Sequence, residues 1–458
     1  MKYSMKRFNF LLATMMLSCA MPALAQHNND DKEITVTTAN GKNEVIDLPE
    51  GMTYELDSLL KQYNAEKYLR PATDCNMPNV NPSFPKEVFI ERLSRIPSII
   101  EMPYNDVVQK FIDRYSGKLR RSVSYVVGAS NFYMPIFEEA LEAYGLPLEL
   151  KYLPVIESAL NPKAVSRAGA TGLWQFMLNT GKHYGLTVNS LIDERSDIAK
   201  SSYAAAHYLS DLYRIFGDWN LVIAAYNAGP ENINKAIHRA KGEKDYWKIY
   251  PYLPRETRGY VPAFIAANYI MNYYCEHNIC PMTATLPVKT DTVVVHSDIH
   301  FNQLAGVLGI DLAELKTLNP QYRKDIVCGA SAPATLRLPA SMVNKFIDKQ
   351  EDIFAYNSDD LLTRRREVEV AEAPASYSPT RSSKSSSKSS SRKHESKKER
   401  RKREKRERGD GGGKSIMIKD GDTLSEIAKR NNTTVKQLKK LNKISGTNIR
   451  AGKKLRVK

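Results

Sequence analysis

Residues 151–184, KYLPVIESALNPKAVSRAGATGLWQFMLNTGKHY, set one acid, Glu157, among hydrophobic neighbours. Pro147 suits a first helical turn, and from there Leu146, Leu150, Leu153 and Glu157 come at spacings of four, three and four. The carboxyl therefore lies on the apolar stripe of the expected helix. Removing a carboxylate from water disfavours its charged form, so such a Glu stays protonated near neutral pH and can donate a proton. The competing reading is a buried, hydrogen-bonded helix Glu with a structural job only. The residues after Glu157 favour the first reading. Ser158 and then Asn161-Pro162 stop the helix, and the small residues Ala168-Gly169-Ala170-Thr171-Gly172 let backbone come close to a ligand. Leu173-Trp174-Gln175-Phe176-Met177 then brings together an aromatic plate, an amide and a thioether, which suit a sugar ring carrying acetamido groups.

Composition bounds the remaining choices. The 458 residues suffice for two or three domains, the largest with a sizeable core. Lys2, Lys6 and Arg7 precede an apolar run from Phe8 to Leu17 and then Ala23-Leu24-Ala25, the pattern of a secretory signal over residues 1–25. An exported, periplasmic protein without a transmembrane helix is expected, because no later stretch has about 20 apolar residues in a row. Met16-Leu17-Ser18-Cys19 departs from the lipoprotein cleavage pattern at Leu17, so a lipid on Cys19 is the alternative to simple cleavage after Ala25. Cys75, Cys275, Cys280 and Cys328 then remain, and their three pairings stay open. No second closely spaced Cys or His pair accompanies Cys275 and Cys280, so no metal is expected, nor any cofactor.

The net charge of +16 is concentrated at one end. Residues 381–458 hold 27 Lys and Arg against 8 Asp and Glu, whereas residues 26–380 hold 37 against 43. A basic end on a slightly acidic body points to a polyanionic surface, which for an exported protein means cell wall or anionic lipid and not nucleic acid.

Residues 26–84 read as a polar, poorly defined leader with a short alternating segment at Ile34–Thr38. Helical periodicity begins near Pro85 and is clear over 105–115 and 133–144. Asp197 caps a helix over 198–216 that Gly217 stops, and Asp218 caps another over 221–228 that Gly229-Pro230 closes. Further helices are expected near 231–240 and 259–276, making one mainly α domain of 85–280. Residues 288–345 and 414–458 repeat one pattern. Val295 to Leu304 and Ile418 to Ile427 each span nine positions, and Leu304 to Asn319 and Ile427 to Asn442 each span fifteen. Both copies have a Leu-Asn step, Leu318-Asn319 and Leu441-Asn442, and a closing strand, Leu336-Arg337-Leu338 and Leu455-Arg456-Val457, which makes each a small β-α-α-β unit. Residues 364–413, rich in Ser, Lys, Arg and Glu, have too few apolar residues for a core and read as a solvated linker.

Four blocks carry a family resemblance: Glu157-Ser158 with Asn161-Pro162 and Ser166; Gly172-Leu173-Trp174-Gln175-Phe176-Met177; Ala225-Tyr226-Asn227-Ala228-Gly229; and Glu256-Thr257-Arg258-Gly259-Tyr260-Val261. In this order they resemble the goose-lysozyme-like lytic transglycosylases of the membrane-bound lytic murein transglycosylase D type. The second β-α-α-β copy, with Gly421-Asp422-Thr423-Leu424, resembles a LysM module, which binds N-acetylglucosamine-containing glycans. The first has Asp298-Ile299-His300-Phe301 in that place and resembles a divergent LysM. The resemblance implies a lysozyme-like helical domain followed by LysM-like modules. It also implies cleavage of peptidoglycan glycan strands between N-acetylmuramic acid and N-acetylglucosamine with formation of a 1,6-anhydro ring. Glu157 would be acid and then base, Tyr260 would direct its hydroxyl at that carboxyl, and Ser166, Gln175, Met177, Tyr226 and Asn227 would line the saccharide subsites.

Each residue also has a plainer role. Met177 and Phe176 can be core, as can Trp174; Tyr226 can be packing, Asn227 a helix cap and Tyr260 a helix-start anchor. Glycosidases commonly use two carboxyl groups. Asp193, Glu194 and Asp197 are candidates for a second, though each reads more simply as a loop or helix-start acid. Two alternatives to the transglycosylase remain: a muramidase that uses water on the same bond, and a non-catalytic peptidoglycan-binding protein.

Overall fold

The computed structural model of the chain describes residues 32–37, 41, 43–61, 68–287, 289–362, 415–417, 424–431, 433–442 and 454–457. The expected signal over 1–25 with Cys19, the basic linker over 364–413 and the Gly421-Asp422-Thr423 turn lie outside these residues. The chain divides into two units, Met1–Ala375 and Ser376–Lys458.

Several helices of the first unit begin at side-chain caps. α1 (Lys86–Arg95) precedes α2 (Asp106–Ser116), whose N-cap Asn105 accepts the Val108 N–H at 2.9 Å. α3 (Arg120–Ala143) is the longest helix described, and α4 (Leu153–Ser158) carries Glu157. α5 (Ile198–Phe216) begins where the Asp197 carboxylate takes the Lys200 N–H and ends at left-handed Gly217. The Asp218 carboxylate caps α6 (Trp219–Ala228) through the Leu221 N–H, α7 (Pro230–Arg239) comes next, and α8 (Arg255–Tyr273) runs through the middle of the domain. Along α8, Tyr260, Val261, Phe264, Ile265, Tyr269 and Ile270 are all buried, each large apolar side chain contributing about 2 kcal/mol. α8 packs on α2, α4 and α6, so the helix bearing Glu157 rests directly on the core.

The expected continuous helix from Pro147 is instead a 3-10 turn, Leu148–Tyr152, that leads into α4. Pro154 has no N–H to give to an upstream carbonyl, so it is tolerated only in the first turn of a new helix. Leu150 and Leu153 remain fully buried.

The polar-leader expectation for 26–84 fails over its described part. β1 (Glu33–Thr37) and β2 (Asn43–Asp47) form an antiparallel hairpin with Ile34 opposite Ile46. Ile46, Met52 and Leu59 are buried in the main helical core. Gly51 lies so close to the backbone of Val155 and Ile156 that any side chain there would collide with it. A few well-placed apolar residues dock this segment, and their signal is lost in an averaged composition. Farther on, β3 (Leu69–Arg70) pairs with β4 (Thr283–Ala284), and a Cys75–Cys280 disulfide fastens the same two segments across 205 residues. Cys275 and Cys328 stay outside that bridge.

The first repeat forms β5 (Thr290–Val295), β6 (Asp298–His300), α9 (Phe301–Leu308), α10 (Leu312–Leu318), β7 (Ile326–Cys328) and β8 (Ala334–Pro339). β5 and β8 pair antiparallel with Val293 opposite Leu336. The module extends beyond residue 345, because Ile353 is buried in its core and the Gln303 amide donates to Ile353 O at 2.9 Å. It is joined to the helical domain through backbone. Asp193 N–H donates to Gln321 O at 2.9 Å and Arg323 N–H to Leu191 O at 2.8 Å, flanking an Ile192–Tyr322 bridge.

In the second unit β9 (Ser415–Met417) pairs with β10 (Lys454–Arg456) around α11 (Leu424–Arg430) and α12 (Val435–Asn442). Leu424, Ile427, Leu438, Leu455 and Val457 form its core.

Candidate active site

Glu157 occupies the last turn of α4, where the chain breaks sharply. Ala159 and Leu160 both take left-handed backbone, φ 49° and 60°, a conformation that costs about 1 kcal/mol or more for each residue with a side chain. The Ser158 hydroxyl donates to Leu173 O at 2.9 Å and to Pro154 O at 3.1 Å, which fastens the helix end to the 164–176 loop. That loop folds back on itself through Val165–Thr171 and Thr171–Phe176 bridges. Gly172, at φ 90°, presses against the Arg195 carbonyl and leaves no room for a side chain.

The Arg195 guanidinium holds the loop from below, donating to Gly169 O at 3.1 Å and Phe176 O at 3.2 Å. Asp193 pairs with Arg195 at 2.9 Å and with Arg323 of the first module at 2.5 Å, and these two cations keep its carboxyl below the usual range against its burial. Arg323 thus reaches the loop beside Glu157 through a carboxylate and a second arginine.

Tyr260, from α8, donates its hydroxyl to Glu157 Oε1. Burial pushes the Glu157 carboxyl up to about 8; the Tyr260 hydrogen bond opposes this, and the nearby charges of Glu256 and Glu50 add to it. Burial likewise holds the phenols of Tyr260 and Tyr226 well above their ordinary value, so both are neutral beside Glu157. The Tyr226 hydroxyl donates to Trp174 O at 2.8 Å. Asn227 Oδ1 accepts from Thr257 at 3.0 Å, and its side chain also bonds the Glu256 carboxyl.

The other expected residues divide. Gln175 has left-handed backbone, φ 47°; its amide donates to Ala164 O at 3.2 Å and Gly172 O at 2.8 Å, while its buried Oε1 has no hydrogen-bond partner among the described residues. Ser166 Oγ accepts the Ala170 N–H at 3.1 Å and shapes the loop turn. Met177 is 37 % exposed, so its core reading fails, whereas Phe176 and Trp174 are core and the Trp174 indole donates to Ser202 at 3.0 Å. The spare-acid candidates have structural work: Asp193 in the ion pairs, Glu194 on Lys200 at 2.5 Å and the Thr187 N–H at 2.7 Å, and Asp197 at the α5 cap. The acids facing Glu157 are instead Glu256 and Glu50. Glu256 was readable, since it lies four residues before Tyr260 and so on the same face of α8. Glu50 sits in the segment read as leader and gave no signal.

The chain is similar to known proteins. The family descriptions that match are the transglycosylase SLT domain over residues 134–249, the LysM-like domain of lytic transglycosylase MltD over 289–355, and the LysM domain over 416–458. The chain is similar to the membrane-bound lytic murein transglycosylase D of Escherichia coli K12, with 29% identity over 363 residues, 78% of this chain and 70% of that protein. It is also similar to the soluble lytic murein transglycosylase of Escherichia coli K12, 32% identical over 135 residues, 28% of this chain and 21% of that one. Among solved structures, the 70 kDa soluble lytic transglycosylase from Escherichia coli matches with a TM-score of 0.28 and 28% identity, over 33% of this chain and 26% of that chain.

Proposed function

We propose that this chain, a peptidoglycan lytic transglycosylase built on an SLT domain with LysM modules, works through Glu157 as both acid and base. The single observation that carries the assignment is a carboxyl held at about 8 by burial, with the Tyr260 hydroxyl fixing its orientation. Protonated near neutral pH, Glu157 gives its proton to the oxygen linking N-acetylmuramic acid to N-acetylglucosamine as the C1–O bond breaks. The resulting carboxylate takes the proton of the muramoyl C6 hydroxyl, whose oxygen bonds C1 and closes the 1,6-anhydro ring. The proton count returns to its start and no water is consumed. Tyr260 holds the carboxyl in place in both states, donating to it when charged. Tyr226, Asn227, Gln175, Met177 and Ser166 border the sugars on either side of the scissile bond.

One observation favours a second reading. Glu256 is a further carboxyl close enough to Glu157 to raise it, and hydrolysis by an activated water needs such a partner. Digestion of purified peptidoglycan with mass analysis of the products separates the two. Muropeptides ending in 1,6-anhydromuramic acid, lost in Glu157→Gln, are expected; reducing-end muramic acid as the main product would establish the muramidase instead.

The C-terminal LysM module anchors the enzyme on the wall. The signal-like residues 1–25 support a periplasmic location, with lipid on Cys19 as the less favoured variant, and the basic 364–413 segment would add attraction to anionic wall or membrane surfaces. Among the described residues no helix is long and apolar enough to cross a membrane.

A further inference from the structure

Glu157 and its loop leave unused a cavity of about 820 Å³ between the first half of α5 and the β5–β8 edge of the first module. Its walls are rich in hydroxyl, amide and carboxyl groups, with the rings of Tyr184 and Tyr203 on the catalytic side and Tyr322 on the module side. Charge narrows the occupant. Glu139, Glu194, Asp197 and Asp291 line the space against Lys200 and Arg337. Lys200 is paired with Glu194 at 2.5 Å, and Arg337 donates to Thr290 at 3.0 Å while facing Asp197, Glu139 and Asp291. An anion entering would meet more carboxylates than cations, which disfavours phosphate and acidic peptide stems. A neutral ligand with many hydroxyl and amide groups, able to lay an apolar face on a tyrosine, meets no such penalty.

The cavity is also linked to the catalytic acid. Tyr184, on its wall, lies 5.1 Å from the Tyr208 ring, which lies 5.3 Å from the Tyr226 ring beside Glu157. All three tyrosines are partly exposed.

We infer that this cavity is a distal saccharide site, which takes uncharged N-acetylglucosamine-type units of the same strand that is cut at Glu157. The first module then serves as one wall of an extended substrate cleft. The inference rests on the transglycosylase reading, and the experiment keeps the two apart.

The full chain is assayed on peptide-free glycan strands of two lengths, long polymer and tetrasaccharide. Ala332, on the exposed lip of the cavity, is changed to Trp to plug it, and in a separate variant Tyr203→Ala removes a ring from the opposite wall. Each variant should lower kcat/KM on long strands about tenfold and leave the tetrasaccharide within about twofold, with the loss in KM. Equal loss on both lengths, or no loss on long strands, in the two variants overturns the distal site. Absence of anhydro products from the unaltered protein overturns the transglycosylase reading instead.

Discussion

In the first module the Asn319 amide donates to Arg337 O at 2.8 Å and takes the Arg337 N–H at 2.8 Å; in the second, Asn442 does the same with Arg456 at 2.8 and 2.7 Å. Both asparagines also cap their own helix, on Leu315 O and Leu438 O. The two modules are thus closed by one clasp, and they differ in surroundings. The first shares backbone hydrogen bonds and a partly exposed ion pair with the segment under the loop that follows Glu157, while the second is a unit of its own with a small core. One β-α-α-β unit can therefore be built into a larger domain in one place and stand as a unit of its own in another. The neighbours it is bonded to decide which.

Truncation gives the largest test of that contrast. Ending the chain at residue 287 removes Gln321 and Arg323, the module-side partners of Asp193 and Leu191, and should lower turnover of soluble fragments about 100-fold by letting the loop shift. Removing 414–458 should leave that turnover within about twofold and weaken sacculus binding tenfold or more, as read by pull-down. Near-normal turnover in the first truncation would end the claim that the module belongs to the catalytic unit.

Tyr260→Phe touches neither module and sets the scale for a direct change at the acid. It should cost about tenfold in kcat. In the proposed mechanism activity requires protonated Glu157, so the wild-type rate should fall as pH rises through about 8. Since the Tyr260 hydrogen bond lowers that value, its loss should move the falling limb to higher pH, visible in a pH–rate profile.

Arg323→Ala leaves Asp193 with Arg195 alone and should cost about 2 kcal/mol of stability and a few-fold in kcat, with Arg323→Lys recovering part. Coupling to Gln175→Ala in a double-mutant cycle would show that the effect passes through the loop; strict additivity would show that it does not. Smallest is the clasp itself. Asn319 is 1 % exposed, whereas Asn442 is only partly buried, so Asn319→Ala should cost about 2 kcal/mol and Asn442→Ala about 1 kcal/mol by thermal denaturation. Equal costs would mean that burial does not set the difference.

The sequence by itself determined what depends on local spacing. Apolar periodicity and caps such as Asp197 and Asp218 placed the helices, because a capping carboxylate acts on an N–H two or three residues away. The fifteen-residue interval before each Leu-Asn step revealed the repeat, and the lone acid on an apolar stripe marked Glu157. Only the tertiary structure decided what depends on residues far apart in the chain: that Cys75 meets Cys280, that Met52 and Glu50 of a polar segment reach the helix bearing Glu157, and that Arg323 braces the loop. Burial and ion pairing are set by which surfaces close on one another in space, and no periodicity within a single segment encodes that.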